Sequence, residues 1–168
     1  IVVAGSHGKT TTTSLVTGIF SKTKLDPTII NGGVLNSFNS PAKLGKSDWC
    51  ILESDESDGS FIKVSPTYSI ITNIDQEHMD YYKSMNNLKG LFIKFVEKTP
   101  SFGKSFICLD DKNNKEIIKK IKIKNFHTYG TNKNSQFCIK NILQLKEYSK
   151  FNIKIRLPGK KKYNINNI

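Results

Sequence analysis

Short apolar, often β-branched runs that alternate with helix-like stretches predict an α/β fold with a mostly parallel sheet flanked by helices. Two observations sharpen it. A glycine-bounded loop joins the first strand to the first helix in the manner of a phosphate loop, and alternating patterns after Gly130 predict a small antiparallel β-hairpin near the C-terminal end.

Ile1 to Ala4 is the first expected strand, followed by Thr28 to Ile30, Cys50 to Leu52, Ser69 to Ile74, Phe106 to Leu109 and Asn125 to Tyr129. One helix is expected after Gly8, another from about Asn87 to Lys98 before Pro100, and a third from about Asn114 to Lys120. In the last, Ile117, Ile118 and Ile121 fit one face and the surrounding lysines its wet side. Phe137 to Leu145 and Lys150 to Leu157, separated by Lys146 to Ser149, form the expected hairpin. The chain shows neither repeats nor a long linker, and its 168 residues suit one domain over 1–168. It opens on an apolar run at Ile1 and so reads as a segment of a longer protein.

The formal net charge of +12 raises the question of a nucleic-acid partner. Only Arg156 among the 26 basic residues is arginine, the side chain on which base readout and phosphate forks rely, so the lysines read as solvated faces and no nucleic acid is expected. The stretch from Lys115 to Lys124 also lacks the interleaved aromatics of a single-strand binder. No apolar run is long enough to span a bilayer, and a cytoplasmic segment without a membrane partner is expected. Cys50, Cys108 and Cys138 are odd in number and lie in apolar runs, which predicts buried, reduced thiols.

The most informative stretch is Gly5-Ser6-His7-Gly8-Lys9-Thr10-Thr11, between strand and helix. Glycines let backbone N–H groups close around phosphate oxygens, and the helix N-terminus adds a favourable dipole. Lys9 is placed to reach the β and γ phosphates, and the Thr10 hydroxyl to bind Mg²⁺. Val3 stands where the usual pattern has its first glycine, so the loop is shorter than a standard one.

Two other strand ends carry polar groups. Trp49-Cys50-Ile51-Leu52 runs into Glu53-Ser54-Asp55-Glu56-Ser57-Asp58, and ligands of open parallel sheets bind beyond the carboxyl ends of strands. Glu53, the first residue past the apolar run, is the preferred Mg²⁺ ligand. Asp55, Glu56 and Asp58 read equally well as ligands or as capping and solvated loop residues. The run Thr72-Asn73-Ile74-Asp75-Gln76-Glu77-His78 ends the next strand, and His78 is a candidate for a second metal.

Together these segments resemble the Mur ligase family, in which a glycine loop ending in Lys-Thr, a strand-terminal Glu and a His after Thr-Asn converge on ATP and magnesium. The matching residues are Gly5 to Thr10, Glu53 and Thr72 to His78. Gly32-Gly33-Val34-Leu35-Asn36, the acidic stretch through Gly59-Ser60-Phe61, and Cys108-Leu109-Asp110-Asp111 are similar to the branch that adds L-alanine to UDP-N-acetylmuramate. The resemblance implies ATP and Mg²⁺ as cofactors, Lys9 on the phosphates, Thr10 and Glu53 on one Mg²⁺, and Glu53 with His78 on a second. It also implies UDP-binding and amino-acid-binding domains outside this chain. A carbamylated lysine carried by several members would fall near Phe92, which is not lysine. The family's Pro-Gly-x-His-Asn segment, tied to adenine binding, stands here as Pro158-Gly159-Lys160-Lys161-Lys162-Tyr163-Asn164. Rival readings are a recycling ligase that attaches a peptide to the same sugar, and a GTPase, against which Asn132-Lys133-Asn134-Ser135 lacks the guanine-reading Asp.

Overall fold

A computed structural model describes residues 1–35, 39–159, 161–166 and 168 of the chain. Asn36 of the Gly-Gly-Val-Leu-Asn run and Lys160 of the Pro-Gly segment lie outside the described residues.

Among the described residues ten strands form one sheet: β1 (Val2–Ala4), β2 (Thr28–Leu35), β3 (Ser40–Lys43), β4 (Cys50–Glu53), β5 (Tyr68–Ile71), β6 (Lys104–Cys108), β7 (Phe126–Gly130), β8 (Phe137–Gln144), β9 (Ser149–Ile155) and β10 (Tyr163–Ile165). Their spatial order is β10-β9-β8-β7-β6-β5-β1-β4-β2-β3. From β2 through to β8 every neighbouring pair is parallel, while β3, β9 and β10 pair antiparallel. The predicted α/β architecture with its C-terminal hairpin is therefore present. The hairpin gains β10 as a third strand, with Tyr163 opposite Ile155.

The helices are α1 (Lys9–Phe20), α2 (Met79–Tyr82), α3 (Met85–Glu97) and α4 (Lys112–Lys120), with a 3-10 turn at Ser60–Lys63. Both longer helices on the α3 side begin earlier than their apolar spacing suggests, because side chains cap them. Ser84 accepts from the Asn87 N–H, and Asp111 from the Asn114 N–H at 2.6 Å. Among the described residues no helix is long and apolar enough to cross a membrane.

Alternation along β1 sends Val2 and Ala4 to one face and Val3 to the other. On the first face they join Ile71, Ile107, Phe61, Leu88, Phe92, Phe95, Val96 and Ile117 in the main core, covered by α3 and α4. Phe61 centres this cluster, with its ring 4.9 Å from Phe92 and 5.3 Å from Phe95. Phe92 is fully buried there, far in character from a charged or modified side chain. The opposite face is covered by α1, whose buried positions are Thr13 and Thr17.

One expectation is corrected. The three cysteines are free, but only Cys138 is buried, whereas Cys108 is half-buried and Cys50 exposed. Cys50 is the first residue of β4, and alternation turns Ile51 inward and the thiol outward.

Candidate functional site

Strand order places β1 between β4 and β5, so the loop leaving β1 is flanked by the carboxyl ends of two strands. Gly5 adopts φ 140°, and a Cβ there would lie 2.1 Å from the Thr72 hydroxyl oxygen, so only glycine allows the chain to pass. Gly8 takes φ 77° and forms the left-handed N-cap of α1, with no side-chain cap and no acid in the first turn. The positive end of α1 is thus left to whatever enters the loop.

The loop is fastened from β5. Asn73 accepts the Ser6 N–H on its carbonyl at 3.0 Å and the His7 N–H on its side chain at 2.9 Å. Thr72 Oγ1 donates to the His7 carbonyl at 2.8 Å, and the Asp75 N–H donates to Ser6 Oγ at 2.8 Å. Thr72 and Asn73, which the sequence presents as the polar end of a strand, are the clamp that shapes the loop. His7 is exposed, its Nε2 3.3 Å from Asp75 Oδ2. The Gln76 N–H and then His7 hold the Asp75 carboxyl below its ordinary range.

Glu53 ends β4 facing this loop. Its Oε1 accepts from the Thr10 hydroxyl at 2.8 Å, and its Oε2 from the Gly32 N–H at 2.7 Å. A Cβ on Gly32 would come within 2.7 Å of that carboxylate, so the backbone of β2 forms a cradle that fixes it. A hydroxyl and a carboxylate oxygen are the hard oxygen donors that Mg²⁺ takes, and the pair fits that ion.

Lys9 Nζ donates to Glu56 Oε2 at 2.7 Å and to the Ser6 carbonyl at 3.2 Å, with Asp55 Oδ1 at 3.7 Å. The Glu56 side chain is only 1% exposed. Burial pushes its carboxyl up from the ordinary value, and the bond from Lys9 opposes that shift. Tyr82 donates its hydroxyl proton to the Glu56 carbonyl. Asp58 instead accepts the Ser60 N–H and serves the turn at Ser60–Lys63.

His78 lies in this group. Its Nε2 is 3.9 Å from Glu56 Oε1, and Glu77 stands beside it. Among the described residues no ion pair joins His78 to Glu53. The structure thus brings Gly5 to Thr11, Glu53 and His78 to one end of the sheet and adds Glu56, Glu77, Gly32 and Asn73. For Glu56 the sequence offered one signal, its membership of an acid run at a strand end.

A glycine loop between a parallel strand and a helix, closed by Lys-Thr and faced by acids from the next strand, defines a phosphate-loop α/β unit. The chain belongs to the Mur ligase family, and residues 3–168 match the Mur ligase middle domain. It is 71% identical over its whole length to the UDP-N-acetylmuramate--L-alanine ligase of Pelagibacter ubique (strain HTCC1062), of which it covers 36%. The chain thus spans about a third of the length of the curated relatives it matches. In three dimensions it is similar to UDP-N-acetylmuramate:L-alanyl-gamma-D-glutamyl-meso-diaminopimelate ligase from Neisseria meningitides, with TM-score 0.77, 21% identity, and coverage of 91% of this chain and 51% of that one. It is also similar to UDP-N-acetylmuramate-alanine ligase from Thermotoga maritima, with TM-score 0.76, 23% identity, and coverage of 98% and 36%. At those identities the structural likeness establishes the fold alone.

Proposed function

We propose that this chain is the ATP- and Mg²⁺-binding part of a cytoplasmic ligase that joins L-alanine to the carboxylate of UDP-N-acetylmuramate. The observation that carries it is the convergence of Lys9 and Thr10, at the head of α1, on Glu53 and Glu56 at the end of β4. The sequence likeness to an alanine-adding ligase extends over the whole chain.

In this reading the loop N–H groups and the α1 terminus bind the phosphates, and Lys9 exchanges Glu56 for the β and γ oxygens. Thr10 and Glu53 hold Mg²⁺, which supplies charge neutralisation at those oxygens when bound. The γ-phosphoryl passes to a carboxylate oxygen of the sugar as ADP departs. The alanine amine then attacks the acyl carbon, giving up a proton as phosphate leaves. The work of this chain is positioning and electrostatic stabilisation rather than covalent chemistry. UDP-sugar and amino-acid recognition belong to the rest of the longer protein.

The test is Lys9→Ala in the full-length enzyme. Turnover should fall about 10³-fold, which is ~4 kcal/mol of transition-state stabilisation, while circular dichroism stays unchanged. Near-normal turnover would remove Lys9 from its assigned place. Alanine against tripeptide as acceptor, compared in the same enzyme, separates the proposed ligase from the recycling one.

A further inference from the structure

We infer that Asn113 and Asn114, in the first turn of α4, are positioning residues that hold the phosphate loop in its binding shape through the strand end Thr72–Ile74. The inference deepens the proposed function and rests on it for the identity of the nucleotide. Among the described residues neither side chain hydrogen-bonds to the loop itself, so the effect passes through the segment between them.

Three observations carry it. First, α4 supplies partners where the sheet no longer does. The last paired residues of β5 and β6 are Ile71 and Ile107, and the carbonyls beyond them need other donors. Asn114 Nδ2 donates to the Thr72 carbonyl at 3.2 Å and to the Cys108 carbonyl at 3.0 Å, so one amide bridges both strand ends. Asn113 Nδ2 donates to the Ile74 carbonyl at 2.6 Å, and the Tyr129 hydroxyl to the Ile71 carbonyl at 3.2 Å. Side chains of α4 and β7 thus take the carbonyls of Ile71, Thr72 and Ile74, and the Asn73 carbonyl between them receives the Ser6 N–H of the loop.

Second, both asparagines are buried, and Asn114 is wholly excluded from solvent. Among the described residues its Oδ1 nevertheless has no hydrogen-bond partner. A buried amide oxygen without a donor is costly, and an apolar side chain would fill the same space without that cost. What the amide brings to this position is its two N–H donors, and both are directed at strand-end carbonyls.

Third, the segment gripped on one side by α4 grips the loop on the other. The Thr72 N–H donates to the Ala4 carbonyl at 3.1 Å and its hydroxyl to the His7 carbonyl at 2.8 Å. Asn73 Nδ2 donates to the same His7 carbonyl at 3.0 Å. Asp111 steadies the far end of this relay, because its side chain accepts the Asn114 N–H.

A loop already in its binding shape takes up a ligand without first having to be ordered. Once loosened, it is competent only part of the time, and apparent affinity falls by that fraction while the complex, when formed, is little altered. The expected signature is a raised KM for ATP with kcat nearly kept.

The experiment uses the full-length enzyme carrying Asn114→Leu, which keeps the side-chain volume and removes both donors, or Asn113→Ala, which removes one. The readouts are steady-state kinetics with ATP and, without nucleotide, amide hydrogen exchange by mass spectrometry of the segment holding Ser6 and His7. Asn114→Leu should raise KM for ATP about tenfold and Asn113→Ala about threefold, with kcat changed by less than about threefold and loop exchange faster in both. Val96→Ala, a core truncation on α3, is the control and should lower the urea midpoint while leaving KM for ATP and loop exchange unchanged. If Asn114→Leu does not fold, Asn113→Ala carries the test. Loop exchange or KM for ATP unchanged in the folded asparagine variants, or equal changes in Val96→Ala, overturns the inference. Should the wild type bind no adenine nucleotide, the proposed function falls, and loop exchange, which needs none, still decides whether the asparagines hold the loop.

Discussion

The middle of the sheet and its C-terminal third are built from the same hydrogen-bonded ladder, yet they differ in what covers them. In the middle, α1 covers one face and α3 and α4 the other, and Val3, Ala4, Ile51 and Ile71 are wholly excluded from solvent. Beyond β7 no helix follows among the described residues, and Ile142, Leu143, Leu145 and Tyr163 are exposed. The candidate functional side chains lie at strand ends of the covered part or in the loops and helix starts that follow them. Strand ends held by packing on both faces can fix a carboxylate or an ammonium group, and a one-layer hairpin has no comparable means.

Three substitutions in this chain test that contrast. Phe92→Ala, in the covered part, should cost about 3 to 5 kcal/mol of stability through lost burial and the cavity left beside Phe61. Urea denaturation measures it, and a loss under about 1 kcal/mol would mean that the core is not organised around this ring. Asp111→Ala removes the cap of α4 and should cost about 1 kcal/mol. An unchanged denaturation midpoint would show that the helix start does not depend on the cap. Smallest is Ile142→Ser in the hairpin, expected to change stability by no more than about 0.5 kcal/mol because the side chain is already wet. A cost comparable to that of Phe92→Ala would erase the distinction between the two regions.

Much of this layout was legible before any coordinates. The parallel strands announce themselves as apolar β-branched runs because both of their faces are covered, and the hairpin by an alternating pattern. Two strands escaped that logic. Ser40–Lys43 contains Pro41 and little apolar surface, which an outermost strand tolerates, and Tyr163–Ile165 is short and exposed. Neither carries a hydrophobic pattern, since neither faces the core.

The sequence by itself determined the phosphate loop, because glycine, lysine and threonine act through local backbone geometry set within a few residues of one another. It also determined that Glu53 ends an apolar strand. Which of the neighbouring acids would be buried against Lys9, and which carboxylates would meet His78, only the tertiary structure decided. Glu53, Asp55, Glu56 and Asp58 are equivalent as letters, but Glu56 alone of the four is sealed from water under Tyr82. Desolvation depends on what long-range packing brings near, and no spacing within the acid run encodes it.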